Sequence, residues 1–194
     1  MTALEPPGPG TGRPSRQRPR HGRRTALWLV AALLVALFFS LTARLFIWSA
    51  YNAAHDVHAD AVVVLGGPGP RWQVALELAR EHAAPVMLVS VASVQWDCPP
   101  NDLPGVQIEC FRPGPDDTRG EARFAASTAR ANGWHSLIVV ASVPQATRAR
   151  VRFKRCFSGT LYVVPAKPDL GTWAYEVVYE WGALAKALVW QRGC

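Results

Sequence analysis

Charged residues make up only 18% of this chain against 49% hydrophobic ones, a balance too apolar for an ordinary soluble domain. The shortage is concentrated: from Thr25 to Ala43 the stretch TALWLVAALLVALFFSLTA carries no charge at all. Other absences close off classes of chemistry. No G-x-x-x-x-G-K-[ST] stretch occurs, which excludes a P-loop. No C-x-x-C pair occurs, which argues against a zinc site. Neither a Ser-His-Asp order nor a metal motif stands out. The first 24 residues hold no aromatic side chain to stack on bases, so their basicity points away from nucleic acid.

That N-terminal segment is rich in Pro, Gly, Ser and Arg, a composition that cannot bury a core and predicts a disordered tail over residues 1–24. It sets Arg13, Arg16, Arg18, Arg20, Arg23 and Arg24 against the single acid Glu5, and so holds most of the formal charge of +7. The uncharged run that follows is about the length of a bilayer-spanning helix. Arg44 can snorkel toward the interface, and Trp48 and Tyr51 supply an aromatic collar, which extends the expected membrane helix to residues 25–48. A cleaved signal peptide would have a shorter apolar region and a small-x-small cleavage site. An uncleaved anchor is therefore favoured, with the lipid bilayer as partner. Arginines before the run place the N-terminus in the cytoplasm and residues 55–194 outside it, in a cell membrane protein of single-pass topology.

All four cysteines, Cys98, Cys110, Cys156 and Cys194, lie beyond the anchor, in what is then an oxidising compartment. Three pairings are possible. The favoured one closes the loop CPPNDLPGVQIEC through Cys98–Cys110 and leaves Cys156–Cys194 as the second bridge.

Within the domain, apolar β-branched runs alternate with helical patterns. Strands are expected over 60–66, 84–91, 105–110, 136–142 and 159–166. Helices are expected over 71–83, 117–134, 143–157 and 172–192. This order defines an α/β class: a Rossmann-like, mostly parallel sheet with helices on both faces, preceded by one N-terminal transmembrane helix. Ligands of such sheets bind at the carboxyl ends of the strands, which singles out the residues just after each strand.

After the first strand comes Gly66-Gly67-Pro68-Gly69-Pro70-Arg71. Pro68 and Pro70 each remove a backbone donor, so a backbone phosphate cradle is weak. Arg71 at a helix start runs against the helix dipole, which is explained if it meets an anion; the alternative is an ordinary surface arginine. Before the second helix, Thr118 and Glu121 have the T-x-x-E spacing of a capping box. The competing reading puts a hydroxyl and a carboxylate at the crevice, beside Asp116 and Asp117. After the fourth strand, Ser142, Gln145 and Arg148 follow, the last two one helical turn apart. Arg148 is a second anion ligand unless it belongs to a solvated basic face with Arg150, Arg152, Lys154 and Arg155. His135 falls at the wrong end of the sheet, and His55 and His58 read as a connector. The final helix carries Trp173, Tyr175, Tyr179, Trp181 and Trp190; such a load is most often core, or else rests at the membrane interface.

Taken in order, VVLGG with Arg71, T-x-x-E-A at Thr118, and S-x-x-Q-x-x-R-A at Ser142 resemble the YdcF/SanA/ElyC-like family of bacterial envelope proteins over residues 57–165. The resemblance implies a Rossmann-like fold hung from a membrane helix. It also implies a site at Gly66, Gly67, Arg71, Thr118, Glu121, Ser142 and Arg148. Two departures stand out: Gln145 where the family usually has histidine, and Ala122 where it typically has asparagine. Glutamine cannot titrate, so Glu121 is the candidate acid or base. The expectation is a crevice for a small phosphate- or carboxylate-bearing ligand in envelope metabolism, with no cofactor and no metal. The alternative is a non-catalytic assembly or scaffold protein with a degenerate site.

Overall fold

The computed structural model describes residues 20–48, 57–67, 69–91, 98–100, 103–167 and 170–194. Its elements run α1 (Arg20–Phe46), β1 (Ala61–Val64), α2 (Arg71–Arg80), β2 (Val86–Ser90), β3 (Gln107–Phe111), α3 (Thr118–Asn132), β4 (Ser136–Ser142), α4 (Ala146–Cys156), β5 (Thr160–Ala166) and α5 (Leu170–Val189). The chain divides into two compact units within α1, one through Phe39 and the other from Ser40 to Cys194.

In the first unit, α1 begins earlier than expected. Arg20–Arg24 are helical rather than part of a disordered tail, because helix geometry tolerates arginine well; the rest of the tail lies outside the described residues. Gly22–Phe46 is long and apolar enough to cross a membrane. Trp48, the first residue of the expected collar, is exposed; Tyr51 and His55 lie outside the described residues.

In the second unit the five strands are all parallel, in the order β3-β2-β1-β4-β5. Central strands β1 and β4 are buried along nearly their whole length, which is why their sequences are unbroken apolar runs. On one face α2 packs Ala75 and Ala79 with Val62, Val64, Met87, Ile138 and Val140. On the other, α3 and α4 pack Ala122, Ala126, Ala149 and Phe153 with Val63, Leu88, Leu137 and Val139. The chain builds outward from β1 through β2 to β3, then returns to the other side of β1 as β4. The order reverses between β1 and β4, and the crevice of a doubly wound sheet opens at that point.

Close packing at the start of α3 depends on Gly120. A Cβ there would lie 1.9 Å from the carbonyl oxygen of Pro115, so only glycine lets the helix approach the preceding loop. At its other end α3 stops at Gly133, which takes the left-handed conformation, φ 69°, as helix-terminating glycines do.

Both expected disulfides are present, Cys98–Cys110 and Cys156–Cys194. The second ties the end of α4 to the segment after α5. Arg119 and Arg123 of α3 donate to the carbonyl oxygen of Cys194. Arg152 reaches Gln191, and Arg155 reaches the carbonyls of Ala187 and Gln191. The basic face expected on α4 is thus only partly solvated: Lys154 is exposed, while Arg152 is buried in holding this segment.

Candidate functional site

The turns after β1 and β4 and the start of α3 converge on a cavity of about 370 Å³ at the carboxyl end of the sheet. All eight residues singled out from the sequence for the site line it: Gly66, Gly67, Arg71, Thr118, Glu121, Ser142, Gln145 and Arg148.

Arg71 is the first residue of α2, with Pro70 at the cap position. It is only 5% exposed, so the reading of an ordinary surface arginine is set aside. Its guanidinium lies against Gly67, where a Cβ would come 3.0 Å from Nη1; Gly67 also has φ +116°, a conformation side chains disfavour. This glycine is what lets the arginine fold back over the turn. Burial lowers the Arg71 pKa, opposed by the charges of Glu176, Glu121 and Glu180.

The capping-box reading of Thr118 and Glu121 is overturned. Asp117 is the cap: extended at φ −156°, it accepts from the backbone N–H groups of Arg119 and Gly120. The frame shifts by one residue because two adjacent side chains can each cap a helix. Thr118 is freed for the cavity, where its Oγ1 accepts from Gln145 Nε2 at 2.9 Å and from Arg148 Nη1 at 2.8 Å. Glu121 Oε1 accepts from the backbone N–H of Gly66 at 2.7 Å. Burial pushes the Glu121 carboxyl above its ordinary range, against the Gly66 N–H, the Ser90 hydroxyl and the two arginines, which pull it down. Among the described residues Ser90 Oγ has no hydrogen-bond partner of ordinary geometry, so it acts as a nearby dipole.

Gln145 stands at the N-terminal cap position of α4 without a side-chain capping bond, and through Thr118 it links the two arginines: its Oε1 accepts from Arg71 Nη2 at 3.0 Å while its Nε2 donates to Thr118. Arg148 in turn makes a two-point contact with Glu180, Nε to Oε2 at 2.7 Å and Nη2 to Oε1 at 2.6 Å. Burial tends to lower the Arg148 pKa, but the Glu180 hydrogen bond and charge prevail and raise it. Its guanidinium also sits 5.9 Å from the centre of the Tyr179 ring.

Sequence reasoning missed the far wall. Tyr175, Glu176, Tyr179 and Glu180 of α5 complete the cavity, with Asp116 and Asp117 at its edge. The available signal was Glu176 and Glu180, two acids one turn apart in an otherwise apolar helix. The core reading of the aromatics near the C-terminus holds for Trp173 and Trp181, which pack against the cluster of Phe46, Val177 and Leu184, and not for Tyr175, Tyr179 and Trp190, which are exposed. A smaller cavity of about 170 Å³ lies on the β2 side of the Gly66-Gly67 turn, between Trp72, Val89 and Pro99.

His135 stands at the opposite end of the sheet, where its backbone N–H donates to Asp60. His58 is exposed and sits 3.1 Å from the carbonyl of His82. Among the described residues no group of three or more His, Cys, Asp or Glu could hold a metal. Comparison with protein-family profiles, curated proteins and solved structures returns no match. Fold and geometry therefore define this site: a doubly wound α/β domain with two buried arginines at its switch-point crevice.

Proposed function

We propose that this is a single-pass membrane protein whose α/β domain lies outside the cytoplasm and binds a small phosphate- or carboxylate-bearing ligand in its crevice. The observation that carries this reading is the chain Arg71–Gln145–Thr118–Arg148, which holds two buried guanidinium groups on one cavity. Planar guanidinium forks match carboxylate and phosphate oxygens. Glu180 already fills the fork of Arg148 in this way, and the ligand's acid group would exchange with it. Glu121 is the candidate acid or base. Gln145, hydrogen-bonded on both sides and unable to titrate, favours binding without turnover as the second reading.

The arginine-flanked apolar helix supports the orientation, and two disulfides suit an extracytoplasmic domain. The sequence resemblance to the YdcF/SanA/ElyC-like family adds a role in the bacterial envelope.

The test is a thermal-shift series on the full chain with inorganic phosphate, glycerol 3-phosphate and acetate. A ligand at about 100 times its Kd should stabilise by roughly 2.7 kcal/mol, and Arg71→Gln should abolish the shift. No stabilisation by any of the three would overturn the reading. An alkaline phosphatase reporter fused after Cys194 should be active; an inactive fusion with an active cytoplasmic reporter would reverse the topology.

A further inference from the structure

Helix α5 divides its residues unusually for a domain surface. Val177, Glu180, Leu184 and Ala187 are turned inward and buried. Apart from Thr172 and Lys186, the larger outward residues are aromatic and aliphatic: Tyr175 is 74% exposed, Val178 73% and Val189 52%, with Trp190 just past the helix at 78%. Exposed charge on this helix is confined to Lys186, and Arg192 follows it. An apolar face with tyrosine and tryptophan, bordered by basic residues, is the pattern of a helix lying in a membrane interface.

A second observation gives the location. The last turns of α1 seat on this same helix. Phe46 is fully buried with its ring edge-on to Trp181, centroids 5.3 Å apart, and Trp181 Nε1 donates to Thr42 Oγ1 at 3.2 Å. Thr147 of α4 donates to the carbonyl of Leu45. These turns, from Ser40 onward, belong to the same compact unit as α5, so the stretch that joins the domain to the apolar helix packs on α5. The third observation links this face to the site: Tyr175 and Tyr179 belong both to the outward face and to the crevice wall, their rings 6.4 Å apart and nearly parallel.

We propose that α5 lies in the headgroup layer of the bilayer and that the crevice takes its ligand from there, as the acidic head of a membrane amphiphile whose tail stays in the leaflet. This rests on the reading of α1 as a membrane anchor and of the crevice as an anion site. The tyrosines would then flank the path by which the head passes from the leaflet to Arg71 and Arg148.

The experiment uses the full chain in phosphatidylcholine nanodiscs. Trp190 emission is obtained as the difference between the unmutated protein and Trp190→Phe, a substitution at an exposed position. Lipid brominated near the headgroup end of its chains should quench that emission at least twofold. Unchanged emission, whether because water or a second copy of the chain covers Trp190, overturns the proposal. Thermal shifts are then compared for phosphatidic acid and oleate in the disc against soluble glycerol 3-phosphate and acetate. Stabilisation by an amphiphile with little or none from its soluble head is the expected result. Equal stabilisation by the soluble heads overturns the amphiphile proposal and leaves the anion site standing. No stabilisation by either set overturns both.

Discussion

The backbone N–H of Gly66 donates to Oε1 of Glu121 at 2.7 Å, joining the turn after β1 to the first turn of α3 across 55 residues of sequence. This bond puts a carboxyl with its pKa raised by burial at the base of the crevice. Glu121→Gln keeps an acceptor for Gly66 and should preserve the fold. Glu121→Ala leaves that N–H without its partner and should cost about 1–3 kcal/mol. Because the folded-state pKa is raised, the contribution of Glu121 to stability is fully present below pH 4.5, its ordinary value, and is lost as pH rises through the folded value. The stability of Glu121→Gln relative to the unmutated protein should therefore improve from pH 4 to pH 8, as read by denaturant unfolding in mild detergent. An unchanged difference would contradict the assigned shift.

Arg148 and Glu180 form a buried two-point pair. Removing one partner leaves a buried charge uncompensated, so Glu180→Gln should destabilise by about 3–5 kcal/mol. The same change frees the Arg148 fork, so added phosphate should raise the Tm of this variant more than that of the unmutated protein. Equal phosphate shifts in the two proteins would count against exchange between Glu180 and a ligand acid.

Gly120 has no room for a side chain beside Pro115. Gly120→Ala forces α3 away from the loop and should cost about 1–3 kcal/mol or more, the scale of overpacking. Because Asp117 and Thr118 open the same helix, the shift should also weaken phosphate binding. Wild-type unfolding midpoints for this variant would show that the approach is not tight.

Asp60 anchors the opposite end of the sheet. It accepts from the N–H groups of His135 and Ser136 and from the Ser136 hydroxyl, and the His135 N–H leads the causes that hold its pKa below the usual 3.8. A lowered folded-state pKa gives stability that is present above the unfolded value and lost as pH falls through the folded one. Asp60→Asn should therefore narrow the stability difference between pH 6 and pH 3 in urea titrations, with ligand binding at the far end unchanged.

The elements with the strongest physical signatures were legible in the sequence. β4 is found at its expected bounds, 136–142, because a strand covered on both faces must be apolar throughout. Gly133 marks the end of α3, because few residues other than glycine take the left-handed turn there. The site residues of the β1 and β4 turns were legible because a parallel sheet opens its crevice at strand carboxyl ends, a rule that depends only on strand order.

Choices between equivalent local chemistries were left to the tertiary structure. Asp117 and Thr118 can each cap a helix; the fold assigns the cap to Asp117 and so releases Thr118 to Gln145 and Arg148. The α5 pattern does not say which partners its faces meet. Packing on α4 and on the last turns of α1 turns Glu180 toward Arg148 and leaves Tyr175 and Trp190 outward. Sequence by itself determined the class of fold and the near half of the crevice, since burial and chain geometry act on each segment separately. Only the tertiary structure decided the far wall and the pairing of Arg148, because those depend on which distant surfaces close on one another.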